Sequence, residues 1–220
     1  MIYTVTMNPS LDYLLSLPAL QAGETNRSAA ERLVAGGKGI NVSKMLYNLG
    51  TDSIIWGFAG GFSGEELCRQ LTAAGLRQDL IFLHNGNTRI NVKLSAGQET
   101  EVNAAGPKAE EEALQIFYRR LEALTAEDYV VLSGSLLPGM PCNSYRQIMQ
   151  QLQGRGVHFI VDTTGESLRE TLPLHPFLIK PNQRELEELF KTELTQRSQV
   201  AELAKQLQEM GAENVLVSLG

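Results

Sequence analysis

The chain is poor in the features that mark several large protein classes. It has two cysteines in 220 residues, Cys68 and Cys142, and both fall in helix or loop patterns without metal-ligand spacing, which argues against a disulfide framework or a zinc centre. There is no excess of basic charge. The net charge is −6 with lysine and arginine dispersed, a pattern unsuited to nucleic acid or an anionic membrane surface. No apolar run approaches membrane-spanning length, and the chain opens on the strand-like Ile2–Met7 without a basic leader, so cytoplasmic residence is expected. The dinucleotide fingerprint G-x-G-x-x-G is also missing. The first strand is followed by Asn8-Pro9-Ser10-Leu11-Asp12, and Gly57-x-x-Gly60-Gly61 has the wrong spacing, which leaves a dinucleotide-binding oxidoreductase poorly supported.

What the chain does contain is 43% hydrophobic residues, enough to bury one good-sized core. Short β-rich runs at Ile2–Met7, Ser53–Phe58, Tyr129–Ser133, His158–Asp162, Phe177–Lys180 and Asn214–Ser218 alternate with helical patterns. The helices are expected at Lys38–Leu49, Gly64–Ala74, Lys108–Leu124, Asn143–Gln153, Asn182–Phe190 and Ser198–Met210. This alternation predicts a three-layer αβα sandwich with a mostly parallel sheet. Residues 11–34 and 88–104 break the rhythm, since strands follow each other there without a helix, and they read as a small accessory β-sheet. In the second, Arg89, Asn91 and Lys93 face one way and Ile90, Val92 and Leu94 the other; a solvated hairpin with charged pairs reads equally well.

The most informative stretch is Ala35-Gly36-Gly37-Lys38-Gly39-Ile40-Asn41-Val42, a glycine-rich turn opening a helix, with Ile40, Val42, Leu46 and Leu49 at helical spacing. Glycines let the backbone approach a ligand closely, and free N–H groups at a helix start favour an anion. A P-loop is not the pattern, because Lys38 is followed by glycine rather than Ser or Thr. Taken alone, the motif also fits an ordinary turn with a solvated lysine. Other strand ends carry small or hydrogen-bonding residues too: Asn8–Asp12, Gly57–Gly61, Ser133–Gly139, Asp162–Gly165, Lys180–Glu185 and Ser218–Gly220. Ligands of open parallel sheets sit at such ends. Asn182 and Glu185 alternatively form a helix capping box, and Asp12 alternatively makes a turn.

These segments, from Met1 to Gly220, resemble the ribokinase-like sugar kinases, the PfkB family. Thr4-Val5-Thr6-Met7-Asn8-Pro9-Ser10-Leu11-Asp12, Gly36-Gly37-Lys38-Gly39-Ile40-Asn41-Val42, Thr88–Lys93 and Glu99-Thr100-Glu101 are most similar to its 1-phosphofructokinase branch, with tagatose-6-phosphate kinase and 6-phosphofructokinase as near relatives. The resemblance implies transfer of the ATP γ-phosphoryl group to fructose 1-phosphate with Mg2+, a β-sheet lid over the sugar, and a homodimer through that lid. It implies that Asp12, Gly37 and Asn41 hold the sugar, that Lys38 and Arg89 bind its phosphate, and that Arg27 and Ser135 lie near the substrate. A surface arginine and a tight-turn serine are the plain alternatives for the last two. Lys180, Asn182, Ser218 and Gly220 fall where the family contacts ATP, and Glu185 where it supports the metal. Leu137 departs from the usual Ser-Leu-Pro pattern of the loop after Ser135.

In that family a further third of the fold follows, including a Gly-Ala-Gly-Asp motif whose aspartate is the general base. No candidate for it stands within residues 1–220, so the expectation is an incomplete kinase domain, inactive by itself and exposing apolar surface on one flank. A sugar-phosphate-binding module without activity is the competing reading.

Overall fold

The computed structural model describes residues 1–219. Its main sheet has six parallel strands, β1 (Ile2–Thr6), β4 (Ser53–Gly60), β5 (Arg77–Leu83), β8 (Tyr129–Ser133), β9 (His158–Asp162) and β10 (Leu178–Ile179), in the order β10-β9-β8-β1-β4-β5. From β1 the chain builds outward through β4 to β5, then returns to the other side of β1 for β8, β9 and β10. The direction of winding therefore reverses between β1 and β8, and a crevice opens at their carboxyl ends.

Alternation along the strands sorts the core into two faces. Trp56 and Phe58 of β4 and Val5 of β1 enter a larger cluster with Phe117 of α3 (Glu111–Leu121), Tyr145 of α4 (Ser144–Gln151), Leu168 of α5 (Gly165–Thr171), Leu186 of α6 (Gln183–Phe190) and Leu207 of α7 (Arg197–Glu209). Ile55 and Ala59, on the opposite face of β4, meet Ile40 of α1 (Lys38–Asn48) and Leu67 and Leu71 of α2 (Gly61–Ala73). Helices thus cover both faces, as the βα alternation predicts.

The helix-free segments form the second sheet. It runs β3-β2-β6-β7, from β2 (Ser10–Ser16), β3 (Ala30–Gly36), β6 (Arg89–Ala96) and β7 (Gln98–Val102), with β2 parallel to β6 and the other pairs antiparallel. Asp12 lies on β2, opposite Asn91 of β6, and not in a turn.

Several elements differ from expectation. Strand β5 is absent from the sequence reading, because Arg77-Gln78-Asp79 precedes its apolar half and hides a sheet-edge strand among polar residues. Helix α5 is missed as well, being seven residues long and followed by a 3₁₀ turn containing Pro173. Residues 214–218 form two isolated parallel bridges, Ile179–Val215 and Asn182–Ser218, in place of a strand. The first bridge meets β10, which is only two residues long, and the second meets Asn182, the cap of α6 beyond Pro181. Beside this edge Leu216 and Leu219 are exposed. On α1 the inner face holds Ile40 as expected but not Leu49, which is exposed, while Ser43 is buried and shares hydroxyl hydrogen bonds with Thr4 (2.7 Å) and Ser53 (2.9 Å). No described helix is long and apolar enough to cross a membrane.

Phe117 is fully buried against Trp56, Phe58 and Tyr118. Phe117→Ala should therefore cost about 3–5 kcal/mol of stability, read as a lowered denaturation midpoint. A change below 1 kcal/mol would show that this cluster is not the principal core.

Candidate functional site

The glycine turn delivers the start of α1 to the end of the sheet. Gly37 has φ +133°, a conformation that side-chain-bearing residues rarely adopt, and a β-carbon there would stand 2.8 Å from Thr6 Cγ2. At Gly39 it would stand 2.5 Å from Thr6 Oγ1 and 2.8 Å from Ser133 Oγ; at Gly36, 2.7 Å from the Asp12 carboxyl carbon. Only bare backbone fits at these three positions.

Lys38 is thereby held over the ends of β9 and β10. Its Nζ lies 3.0 Å from Asp162 Oδ1 and 3.1 Å from Glu185 Oε1, and Lys180 Nζ lies 3.6 Å from the other Asp162 oxygen. Burial by itself would lower the Lys38 pKa, but Asp162, and after it Glu185, outweigh burial and hold it above the ordinary lysine value. Glu185 serves twice. Its second oxygen accepts from the Asn182 backbone N–H (2.9 Å) while the Asn182 side chain accepts from the Glu185 N–H (2.8 Å), so the capping box is present as well.

Lys38 and Glu185 line a cleft of about 280 Å³ together with Gly37, Arg89, Ser135 and Thr163. A wider opening of about 550 Å³ shares Arg89 and Ser135 and continues past Pro138 and Cys142. Arg89 enters from the first residue of β6. It is half-buried, and its Nε donates to the Asn8 carbonyl at 3.1 Å. Among the described residues no other group accepts from its guanidinium, and no carboxylate is within ion-pair distance. Burial lowers its pKa, opposed in part by the more distant Asp12.

Asp12 sits behind the glycine turn. Its carboxylate accepts from Ser10 Oγ (2.8 Å) and Asn91 Nδ2 (3.0 Å) and pairs with Lys93 Nζ (3.2 Å). The alternation along β6 thus puts Asn91 and Lys93 on one carboxylate. Asn41 is exposed on the first turn of α1, and its backbone N–H donates to the Gly37 carbonyl (2.9 Å). Ser218 flanks Asn182: its N–H donates to the Pro181 carbonyl (3.2 Å) and its carbonyl accepts from the Gln183 N–H (3.1 Å). Arg27 is exposed in the loop between β2 and β3 and does not line the cleft. Gly220 lies outside the described residues.

Two participants carry no strong local signal in the sequence. Asp162 meets Lys38 from 124 positions away, and Asn8 is buried beneath Arg89; each stands at a strand end, the one clue the sequence offers. No cluster of three or more His, Cys, Asp or Glu suited to a metal occurs among the described residues. Asp162 and Glu185 nonetheless converge on one ammonium, and two carboxylates with water and substrate phosphates are a usual setting for Mg2+.

The pattern of the pfkB family of carbohydrate kinases matches residues 5–220. The 1-phosphofructokinase of Bacillus subtilis is 39% identical over 219 residues, covering 100% of this chain and 72% of that protein. A D-tagatose-1-phosphate kinase of Bacillus licheniformis is 31% identical, with 100% and 72% covered. Among solved structures, phosphofructokinase-2 of Escherichia coli in complex with substrates and products superposes with a TM-score of 0.92 at 31% identity, over 100% of this chain and 73% of that one.

Lys38→Met would leave Asp162 and Glu185 facing each other without their shared cation. Removing one partner of a fully buried pair costs about 3–5 kcal/mol; the Lys38 side chain is 39% exposed, so we expect about 1–2 kcal/mol after solvent screening. A raised lysine pKa contributes stability that is whole below the unfolded value, ordinarily 10.5, and is lost as pH rises through the folded value. The difference in denaturation midpoint should thus be constant through neutral pH and close in strong alkali. Equal midpoints at pH 7 would show that the ion pairs contribute nothing.

Proposed function

The chain belongs to the pfkB family of carbohydrate kinases, and on that basis we propose that it binds a ketohexose phosphate, fructose 1-phosphate foremost, as acceptor of the ATP γ-phosphoryl group, with fructose 1,6-bisphosphate as product. Arg89 carries this reading. A half-buried guanidinium without a carboxylate partner is left short of an anion that a ligand can supply, and a sugar that already bears a phosphate supplies it where a plain sugar does not. The names of the similar kinases favour the same substrate class. Tagatose 6-phosphate and fructose 6-phosphate are the competing substrates, separated by pocket shape.

In this reading Gly37 and Asn41 contact the sugar, Asp12 serves its hydroxyls, and Ser135 lies beside it. Lys38 joins Arg89 on the phosphate. Lys180, Asn182, Ser218 and Gly220 serve ATP. Asp162 and Glu185 are the residues that would hold Mg2+, which when bound neutralises charge on the transferring phosphoryl group. Positioning carries most of such a step. Residues 1–220 are read as part of one cytoplasmic kinase domain whose lid, at 11–34 and 88–104, packs against that of a second copy. The support is β7, exposed along its whole length at the open edge of the small sheet, and such a dimer would give exposed Arg27 a cleft to reach.

The 220 residues by themselves should bind without turnover. A general base must reach the attacking hydroxyl with a free oxygen. Asp162 is engaged by Lys38 and Lys180, and Glu185 by Lys38 and the Asn182 N–H.

Calorimetry with fructose 1-phosphate, fructose 6-phosphate and tagatose 6-phosphate tests the substrate, with fructose 1-phosphate expected to bind tightest. Arg89→Ala should weaken that binding about 10- to 100-fold, the loss of a charge-assisted hydrogen bond worth about 1.5–3 kcal/mol; unchanged affinity removes Arg89 from the site. Turnover of fructose 1-phosphate by the 220-residue chain at about 1–100 per second, the usual kinase range, would overturn the expected inactivity.

A further inference from the structure

Asn8 has no part in the roles above, yet three segments of the cleft meet on it. It follows β1 and is 3% exposed. Its side-chain Nδ2 donates to the Ala105 carbonyl at 2.9 Å and to the Leu136 carbonyl at 3.2 Å, while its own backbone carbonyl accepts from Arg89 Nε at 3.1 Å. Ala105 lies on the return from the lid after β7, Leu136 on the loop that carries Ser135, and Arg89 at the start of β6.

The orientation of the amide follows from its surroundings. Two carbonyl oxygens require the NH2 group on their side, since carbonyls cannot donate. The remaining oxygen, Oδ1, is then buried without a hydrogen-bond partner. Gly106 packs against it so closely that a β-carbon there would stand 2.4 Å away. An apolar side chain would avoid the orphaned oxygen, so the amide is present for its two donors.

We propose that Asn8 is a positioning residue for substrate phosphate: by anchoring to Ala105 and Leu136 it fixes its own carbonyl, and that carbonyl fixes the Arg89 guanidinium. The Nε–H is committed to Asn8, which leaves the Nη groups for the ligand. A guanidinium at the end of a flexible stem loses rotamer freedom when it binds an anion, and holding it beforehand reduces that loss. The same two donors tie the lid return to the floor of the cleft, so Arg89 and Ser135 keep their spacing. This inference rests on the reading of Arg89 as the cation that receives the phosphate.

The test is a double-mutant cycle on the 220-residue chain with fructose 1-phosphate as the probe, using Asn8→Ala, Arg89→Ala and the pair, together with the hydrogen exchange of the Arg89 Nε–H by NMR. That resonance is assigned by its disappearance in R89A. We expect N8A to weaken binding about tenfold and the double variant to bind no worse than R89A within about twofold, the non-additivity of residues acting through one another. The Nε–H should exchange slowly in the unmutated chain and rapidly in N8A. Full additivity of the two losses, or a slow Nε–H in N8A, overturns the proposal; so does an Nε–H that hastens only in step with the backbone amides of β1, β4 and β8, because a general loss of stability speeds the exchange of all of them together. If R89A leaves the affinity unchanged, the phosphate reading of Arg89 fails and, with it, the role of Asn8 in phosphate binding; the Nε–H exchange then reports only whether Asn8 orders the side chain. Should N8A not fold, Asn8→Ser retains one donor and is judged by the same two readouts, with a smaller shift expected in each.

Discussion

The site depends on how closely the backbone of the glycine turn approaches the end of the sheet. At Gly36, Gly37 and Gly39 a β-carbon would stand within 2.8 Å of side-chain atoms of Asp12, Thr6 or Ser133, and real β-carbons do not come so near. Because the space is filled by strand β1 and its neighbours, the start of α1 can sit over the crevice only as bare backbone. Lys38, the one side chain in the turn, is thereby aimed at a single place. It reaches Asp162 at 3.0 Å and Glu185 at 3.1 Å.

Charge is then distributed unequally around the cleft. On the floor two carboxylates, Asp162 and Glu185, are matched by two lysines, Lys38 and Lys180. On the wall Arg89 is half-buried and bonded only to a neutral carbonyl. Neutral floor and uncompensated wall together favour an anionic ligand near Arg89. Glu185 also makes two kinds of contact at once: one oxygen caps α6 while the other takes the ammonium of Lys38.

Much of the architecture was legible because burial imposes period. Strands such as Tyr129–Ser133 and His158–Asp162 have the bounds their apolar runs suggest, since both faces of the sheet are covered. Strand β5 was not legible: it lies at the sheet edge, and its first half is polar. Nor was all of the inner face of α1: Ile40 is in the core as its spacing suggests, but a trio of hydroxyls, Thr4, Ser43 and Ser53, satisfies itself in the interior and the expected apolar contact at Leu49 is left in solvent. Within the site, the glycine turn and the strand ends could be recognised by composition. The partners of their side chains could not.

The sequence by itself determined the layering, the place of the small-sheet strands and the glycine turn, because these follow from local periodicity and from the conformations that glycine alone adopts. The family followed from the same residues. Tertiary structure alone decided that Lys38 bridges Asp162 and Glu185, that Asp12 backs the turn and pairs with Lys93, and that Arg89 rests on Asn8. The ion pairs and the Arg89–Asn8 bond among them join residues 81 to 147 positions apart. No local pattern records such a distance, because the energy of an ion pair or a buried amide depends on which strands become neighbours after the chain has wound around its sheet.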